Sequence, residues 1–269
     1  MKVRYRVKAK DCLKKALEEL EHQDDRHLKY VALELRMCIE ALIYDKLQSY
    51  KDEAPINTYE TWQPKKILEE LLIIDPFADS SSSLSFSLED KFGNPTEWTH
   101  LGEERMLTLK EIKKHYNYLG SFLHIQTIKQ ISEGKEINYK SLREKLNQIV
   151  SMIKDSLNAK LYNSNFCYSA NIDCKRCNEK IKRRVPYTEN YKFKTKCSHC
   201  NAPYEVTTLP EKKVCWVSLK TSTDCMNQEC KTEFDIWNDK LFPDSKIKCP
   251  KCDELYIIKM SLFLDDSHN

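Results

Sequence analysis

Long apolar runs are missing from this chain. The longest, such as Leu71 to Ile74, fall far short of a membrane span, and the opening MKVRYRVKAKDCLKKALEEL lacks the apolar stretch of a secretory signal. These absences predict a protein with no membrane contact and no signal peptide, working in the cytoplasm. Net charge is nearly missing too. With 44 Lys or Arg against 41 Asp or Glu, the formal +3 spread over 269 residues says nothing by itself about nucleic acid; only a local basic patch does. Cysteine is scarce in the first 160 residues, where only Cys12 and Cys38 occur; the other ten lie between Cys167 and Cys252. In a reducing compartment such a cluster reads as metal ligands rather than disulfides.

What is present divides the chain in the same place. The length favours more than one domain, and a hydrophobic fraction of 41% suffices for a packed core. Residues 1–164 carry 26 basic and 26 acidic side chains, residues 165–213 carry 11 against 5, and residues 214–269 carry 7 against 10. The expected fold class is α+β multidomain: a helical bundle over 1–162, a basic β-rich zinc ribbon over 163–212, and an acidic one over 213–269.

The first part has helical periodicity. Residues 8–22 put Cys12, Leu13, Ala16, Leu17 and Leu20 on one stripe, and Leu28, Val31, Ala32, Leu35, Cys38, Ile39, Ile43 and Leu47 repeat at three and four along a helix from about Arg26 to Lys51. WQPKKILEELLIID reads as a short third helix with Pro64 near its first turn. Residues 75–107, with Pro76, SSSSLSFS and GNP, read as a long loop. Helices from about Thr108 to Thr127 and from Asn138 to about Leu161 complete a five-helix bundle.

The second part carries the more specific signal. Cys174 and Cys177 pair across nineteen residues with Cys197 and Cys200; Cys225 and Cys230 pair across eighteen with Cys249 and Cys252. Two short knuckles separated by a strand-rich loop are the ligand pattern of a four-cysteine zinc ribbon, so two structural Zn²⁺ per chain are expected. RVPYTENYKFKT and EFDIWNDKLF alternate as strands, and PYEVTTL and LYIIKMSLFL follow the last knuckles. In so small a fold, zinc binding is largely the folding energy, on the order of 10 kcal/mol or more. Four thiolates close the coordination shell, which argues against hydrolytic zinc chemistry. FCYSANIDCKRC and VCWVSLKTSTDCMNQEC repeat the same plan, making Cys167 and Cys215 equivalent positions. Both read as small buried residues of a first strand, or as spare ligands; His199, inside CSHC, reads as exposed.

Each zinc with its four thiolates adds −2, which leaves the first ribbon near +4 and turns the second to about −5. Lys182, Arg183, Arg184, Lys192, Lys194 and Lys196 interleave with Tyr187, Tyr191 and Phe193. If the rings face the ribbon core, the cations are free to meet nucleic-acid phosphate; the alternative is a solvated basic strand. Trp216, Trp237 and Phe242 of the acidic ribbon suit protein packing, which points to a protein partner there.

YVALELRMCIEALIYDKL and YNYLGSFLH make roughly residues 8–160 resemble the HEPN family. That resemblance implies a helical module for dimerisation or RNA binding, or in catalytic members an RNase, and a role in defence against phage or other foreign nucleic acid. Catalytic members carry Arg, then four to six residues, then His, whereas Asn117, Tyr118 and Leu119 hold the matching positions ahead of His124, and His115 is preceded at that distance by Lys110. Metal-free RNA cleavage needs a proton-transfer group and a cation for the phosphorane. His124 with Arg36, the latter held by Glu40, would supply both if helix two faces helix four. The other reading is a helix-end histidine and an ordinary i,i+4 pair. Three functions follow: a nucleic-acid-binding or adaptor protein whose bundle mediates dimerisation, a HEPN-type endoribonuclease, or an assembly subunit without nucleic-acid contact.

Overall fold

The computed structural model describes residues 3–125, 127–134, 137–165 and 167–259. The chain divides into two units, Met1–Phe166 and Cys167–Asn269.

In the first unit, α1 (Tyr5–Glu21) packs antiparallel to α2 (Leu28–Gln48) across a single 3₁₀ turn, Asp25–His27, whose cap is the Asp24 carboxylate accepting from the Arg26 N–H. All eight apolar positions expected on helix two are buried, because their three-four spacing places them on one face of α2 at the centre of the core. Cys12 and Cys38 belong to that core, and Cys38 donates its S–H to the Ala9 carbonyl at 3.1 Å. Burial pushes the Cys12 thiol up to about 11 and the Cys38 thiol to about 12, so neither ionises to a reactive thiolate near neutrality. A single turn, α3 (Ile56–Tyr59), precedes α4 (Pro64–Ile74), with Pro64 in the first turn as expected.

The segment 75–107 is not a loop. Strands β1 (Ser82–Glu89) and β2 (Pro95–Glu104) form an antiparallel hairpin, closed where the Asp90 carboxylate accepts from the N–H groups of Phe92 and Asn94. Its serines alternate with Leu84, Phe86 and Leu88 at the period of a strand, although Phe86 and Leu88 stay exposed rather than covering a core. The base of the hairpin is anchored instead. Glu104 is 4% exposed, lies 3.6 Å from the equally buried Lys46 ammonium of α2, and accepts from the backbone N–H of Asn163 and Ser164.

The fourth expected helix is shorter than anticipated. α5 (Leu109–Ser121) opens on a capping box between Thr108 and Glu111 and stops before a turn; a second capping box, Thr127 with Gln130, starts the separate α6 (Ile128–Ser132). α7 (Tyr139–Asn158) buries Leu142, Leu146, Ile149, Val150, Ile153 and Leu157 against the same core.

The second unit is built from hairpins. β3 (Cys167–Asp173) pairs with β4 (Lys180–Pro186), and β5 (Lys192–Lys196) with β6 (Pro203–Thr208). β8 (Lys220–Asp224) pairs with β9 (Glu233–Trp237), and β10 (Lys246–Lys248) with β11 (Leu255–Ile257), all antiparallel. The last expected strand, LYIIKMSLFL, is seen only as β11; from residue 260 onward it lies outside the described residues. β7 (Val214–Ser218) joins the other edge of β6 and completes a β5–β6–β7 sheet. The boundary expected between residues 212 and 213 therefore runs through one continuous sheet, since β7 brings Trp216 under it to pack on Tyr204.

Candidate metal centres and a basic sheet face

Each Cys pair is the turn of a hairpin. In three of the four turns the first Cys donates its N–H five residues on, and its carbonyl accepts from the residue after the second Cys. The Cys174 N–H reaches Glu179 O and the Asn178 N–H reaches Cys174 O; Cys197 with Ala202 and Asn201, and Cys249 with Glu254 and Asp253, repeat it. The residue after the second Cys takes a left-handed backbone in all four turns, with φ of 63° at Asn178, 60° at Asn201, 43° at Lys231 and 62° at Asp253. Asn and Asp tolerate that conformation best, which accounts for three of the four residue types.

These turns bring the thiols together as expected. Cys174, Cys177, Cys197 and Cys200 form one group and Cys225, Cys230, Cys249 and Cys252 a second, with all sulfurs of a group within 4.8 Å of one another. Across the first group Cys174 Sγ lies 3.6 Å from Cys200 Sγ and Cys177 Sγ lies 3.7 Å from Cys197 Sγ. Across the second, Cys225 to Cys252 is 3.5 Å and Cys230 to Cys249 is 3.9 Å. These separations are far longer than a disulfide bond and close to the ~3.8 Å edge of a tetrahedron with metal–sulfur bonds of about 2.3 Å. The donor set and its spacing thus fit a tetrahedral thiophilic ion in each group.

A tyrosine completes both groups. The Tyr204 hydroxyl donates to Cys174 Sγ at 3.4 Å and accepts from the Lys175 N–H at 2.8 Å. Tyr256 takes the same place in the second group, 3.0 Å from Cys225 Sγ, and accepts from the Asn227 N–H at 3.3 Å. Both tyrosines stand four residues after the last Cys, in CNAPY and CDELY, a repeat the sequence reading passed over. Burial acts to raise the Cys174 thiol, but hydrogen bonds from Tyr204 and from the N–H groups of Arg176 and Cys177 outweigh it and bring the thiol down to about 6. At Cys230 hydrogen bonding with Thr232 has the same result, about 6. The lowering does not extend to every thiol. At Cys177 and Cys252 the N–H groups of Glu179 and Glu254 act to lower, but burial and the neighbouring thiols outweigh them and take both up to about 12.

The core around the first group draws on residues from the second ribbon, Trp216 and Trp237. Arg176, inside the first knuckle, pairs with both carboxylate oxygens of Asp239, donates to Cys200 O at 3.0 Å, and lies 4.5 Å above the Trp237 ring. Trp237 in turn packs on Tyr204 with ring centres 5.7 Å apart. Trp216 and Trp237 are thereby used inside the unit, while Phe242 is exposed. Cys215 faces outward, contrary to the buried position expected for it, because its neighbour Trp216 takes the inward site in β7; Cys167 is half-buried. Neither joins a four-cysteine group, and His199 is exposed.

The expected basic cluster splits. Lys192 and Lys194 are exposed on β5 while Phe193 and Thr195 point inward, and Lys196 and Lys182 are half-buried. Arg183 and Arg184 are 2% and 6% exposed, which corrects their assignment as phosphate contacts. The Arg183 guanidinium donates to Thr195 Oγ1 and the Lys182 carbonyl, both at 2.7 Å, to the Lys196 carbonyl, and to Ser198 Oγ at 3.3 Å. It ties β4 to β5 and to the knuckle that follows. Cross-strand pairing puts Glu205 opposite Lys194 on the outer face, so one acid interrupts the basic row.

In the helical unit α2 does face α5. The Arg36 guanidinium lies 4.0 Å over the Tyr116 ring, and the Tyr116 hydroxyl donates to Glu40 at 2.5 Å. Gly120 leaves the space that Arg36 Nη1 occupies, since a Cβ there would collide with it. Burial, then the Glu40 hydrogen bond, pushes the Tyr116 hydroxyl up to about 12. His124 stands exposed, three residues past the end of α5, and is not joined to Arg36 by a hydrogen bond. A second positive surface went unnoticed in the sequence: a cleft of about 1160 Å³ where Arg4, Lys10 and Lys51 are exposed beside Tyr59 and Tyr162. Its residues are scattered over the unit, and only the packing of α1 on α2 and the return of the chain after α7 bring them together.

Comparison with protein-family models, curated proteins and solved structures finds no match to this chain. No helix among the described residues is long and apolar enough to cross a membrane.

Proposed function

We propose that the protein is a nucleic-acid-binding adaptor of the cytoplasm, in which two structural Zn²⁺ ions, one per four-cysteine group, hold a small sheet unit that presents phosphate-binding lysines. The observation that carries this reading is the alternation along β5, which keeps Phe193 and Thr195 inside and turns Lys192 and Lys194 out, with Lys196 half-exposed beside them. A row of cations on a rigid, metal-clamped strand can follow a phosphate backbone, and the exposed cations and tyrosines of the helical cleft suit unstacked bases. Zinc here would act by fixing the knuckles, since four thiolates leave no open coordination position. The helical unit would serve as the interaction or dimerisation module that the HEPN resemblance implies, and antiphage defence is the setting that resemblance suggests.

A second reading, metal-independent RNA cleavage, is favoured by the meeting of Arg36, Glu40 and Tyr116 where α2 faces α5. It requires His124 to reach a phosphate held by Arg36. The third, an assembly subunit, would use the same lysines on an acidic protein surface. Oligonucleotide titrations of the purified protein, followed by fluorescence anisotropy between about 50 and 200 mM salt, separate them. Binding that weakens steeply with salt, and a slope flattened by up to about 2–3 units in the Lys192/Lys194/Lys196→Ala protein, supports the first reading. Absence of binding at the lowest salt overturns it, and cleavage abolished by His124→Ala favours the second.

A further inference from the structure

The cysteine groups are not the only place where metal-ligating atoms converge. Glu19 at the end of α1, His22 directly after it, and His27 in the 3₁₀ turn before α2 bring one carboxylate oxygen and two ring nitrogens within 4.8 Å of one another. The rings of His22 and His27 stack, with centres 3.9 Å apart and planes 12° from parallel, and His27 Nδ1 lies 2.6 Å from Glu19 Oε2. The turn is held from outside. Arg143 of α7 donates to the Leu20 carbonyl at 3.1 Å and the His22 carbonyl at 3.2 Å, and pairs with Asp25 at 2.9 Å. The backbone that carries the three side chains is therefore fixed by an arginine that touches none of the ligand atoms. Arg26, beside His27, is turned to Asp24, and among the described residues no lysine or arginine pairs with Glu19.

We propose that Glu19, His22 and His27 form a third metal site, one that takes a divalent first-row transition ion. Two imidazoles and a carboxylate suit Zn²⁺, Ni²⁺ or Co²⁺ rather than the harder Mg²⁺ or Ca²⁺. Three protein ligands leave at least one coordination position for water, so this site is open where the cysteine groups are closed. The ion would replace the hydrogen bond between His27 and Glu19 and would link the end of α1 to the start of α2. A gap of 2.6 Å between nitrogen and oxygen would widen slightly as both turn toward a shared ion about 2.0–2.2 Å from each.

The test uses the full chain with its cysteine groups filled with zinc. Ni²⁺ is titrated in by calorimetry, and zinc and nickel are counted after desalting. The expected result is one equivalent of nickel per chain with zinc unchanged. Its affinity should fall at least about tenfold in His22→Ala, in His27→Ala and in Glu19→Gln, since loss of mere supporting contacts already costs that much. His100→Ala, a histidine on the exposed hairpin, should bind as wild type does. Melting curves establish that each variant is folded. No nickel binding by the wild-type protein overturns the proposal, and so does an equivalent that survives in the His22→Ala/His27→Ala double variant, which would place the ion elsewhere.

Discussion

Removing one oxygen atom, by Tyr204→Phe, tests how the first metal centre is held. The ring itself would stay, packed on Trp216 and Trp237, because Phe has the same shape and Tyr204 is fully buried. What is lost is the hydroxyl, with its bond to Cys174 Sγ and the bond it accepts from the Lys175 N–H. A hydrogen bond to a charged acceptor contributes about 1.5–3 kcal/mol, and the N–H left without its partner costs about 1 kcal/mol or more where water cannot reach it. Some of this is recovered if a water enters, so about 2 kcal/mol, or roughly thirtyfold in affinity, is expected. The assay is competition for zinc with a chromophoric chelator, read as the concentration that withdraws the first ion, beside a melting curve. Tyr256→Phe should weaken the second centre in the same direction. Equal chelator midpoints for wild type and Tyr204→Phe would refute the argument, because the hydroxyl would then contribute nothing to the thiolate it touches.

Other variants probe the remaining structure. Glu104→Ala leaves the Lys46 ammonium buried without its partner and should cost about 3–5 kcal/mol, seen as an earlier thermal transition of the helical unit with zinc content unchanged. Gly120→Val drives a side chain into the space of Arg36 Nη1 and should lower the melting temperature by disturbing the Arg36–Tyr116–Glu40 contact; an unchanged melt would show that Arg36 moves aside freely. Arg183→Ala should loosen the junction of β4 with β5 while leaving the salt dependence of polyanion binding as it was, since that guanidinium is spent on internal acceptors. A flattened salt slope in that variant would return Arg183 to the phosphate face.

The helical core and the cysteine groups were legible because both are written in local spacing. Leu35, Cys38 and Ile39 of α2 recur at helical intervals, and the two cysteines of each knuckle are only a few residues apart. The β1–β2 hairpin was missed although Leu84, Phe86 and Leu88 alternate with serines at strand spacing, because the serine run and GNP were read as loop and the three apolar side chains are not buried in a core. Arg183 and Arg184 misled for a different reason. Residue type announces charge but not burial, and β4 buries both, Arg183 against Thr195 and the knuckle backbone. Tyr204 and Tyr256 could have been found, since their distance from the preceding Cys repeats; their role needed the hairpin geometry that carries each across to the other knuckle. The His22–His27 pair depends on the 3₁₀ turn that brings residues five apart into ring contact, which periodicity alone does not foretell.

The function proposed for the sheet unit rests on its eight cysteines holding two metal ions. Titration of freshly purified protein, never exposed to chelator, with a mercurial thiol reagent tests this directly while a zinc-sensitive dye reports release. Two zinc ions per chain should appear, each in step with the modification of four thiols, and the strand signal should collapse while the helical signal persists. Fewer than two thiol-released ions, or cysteines found already joined as disulfides, would contradict it.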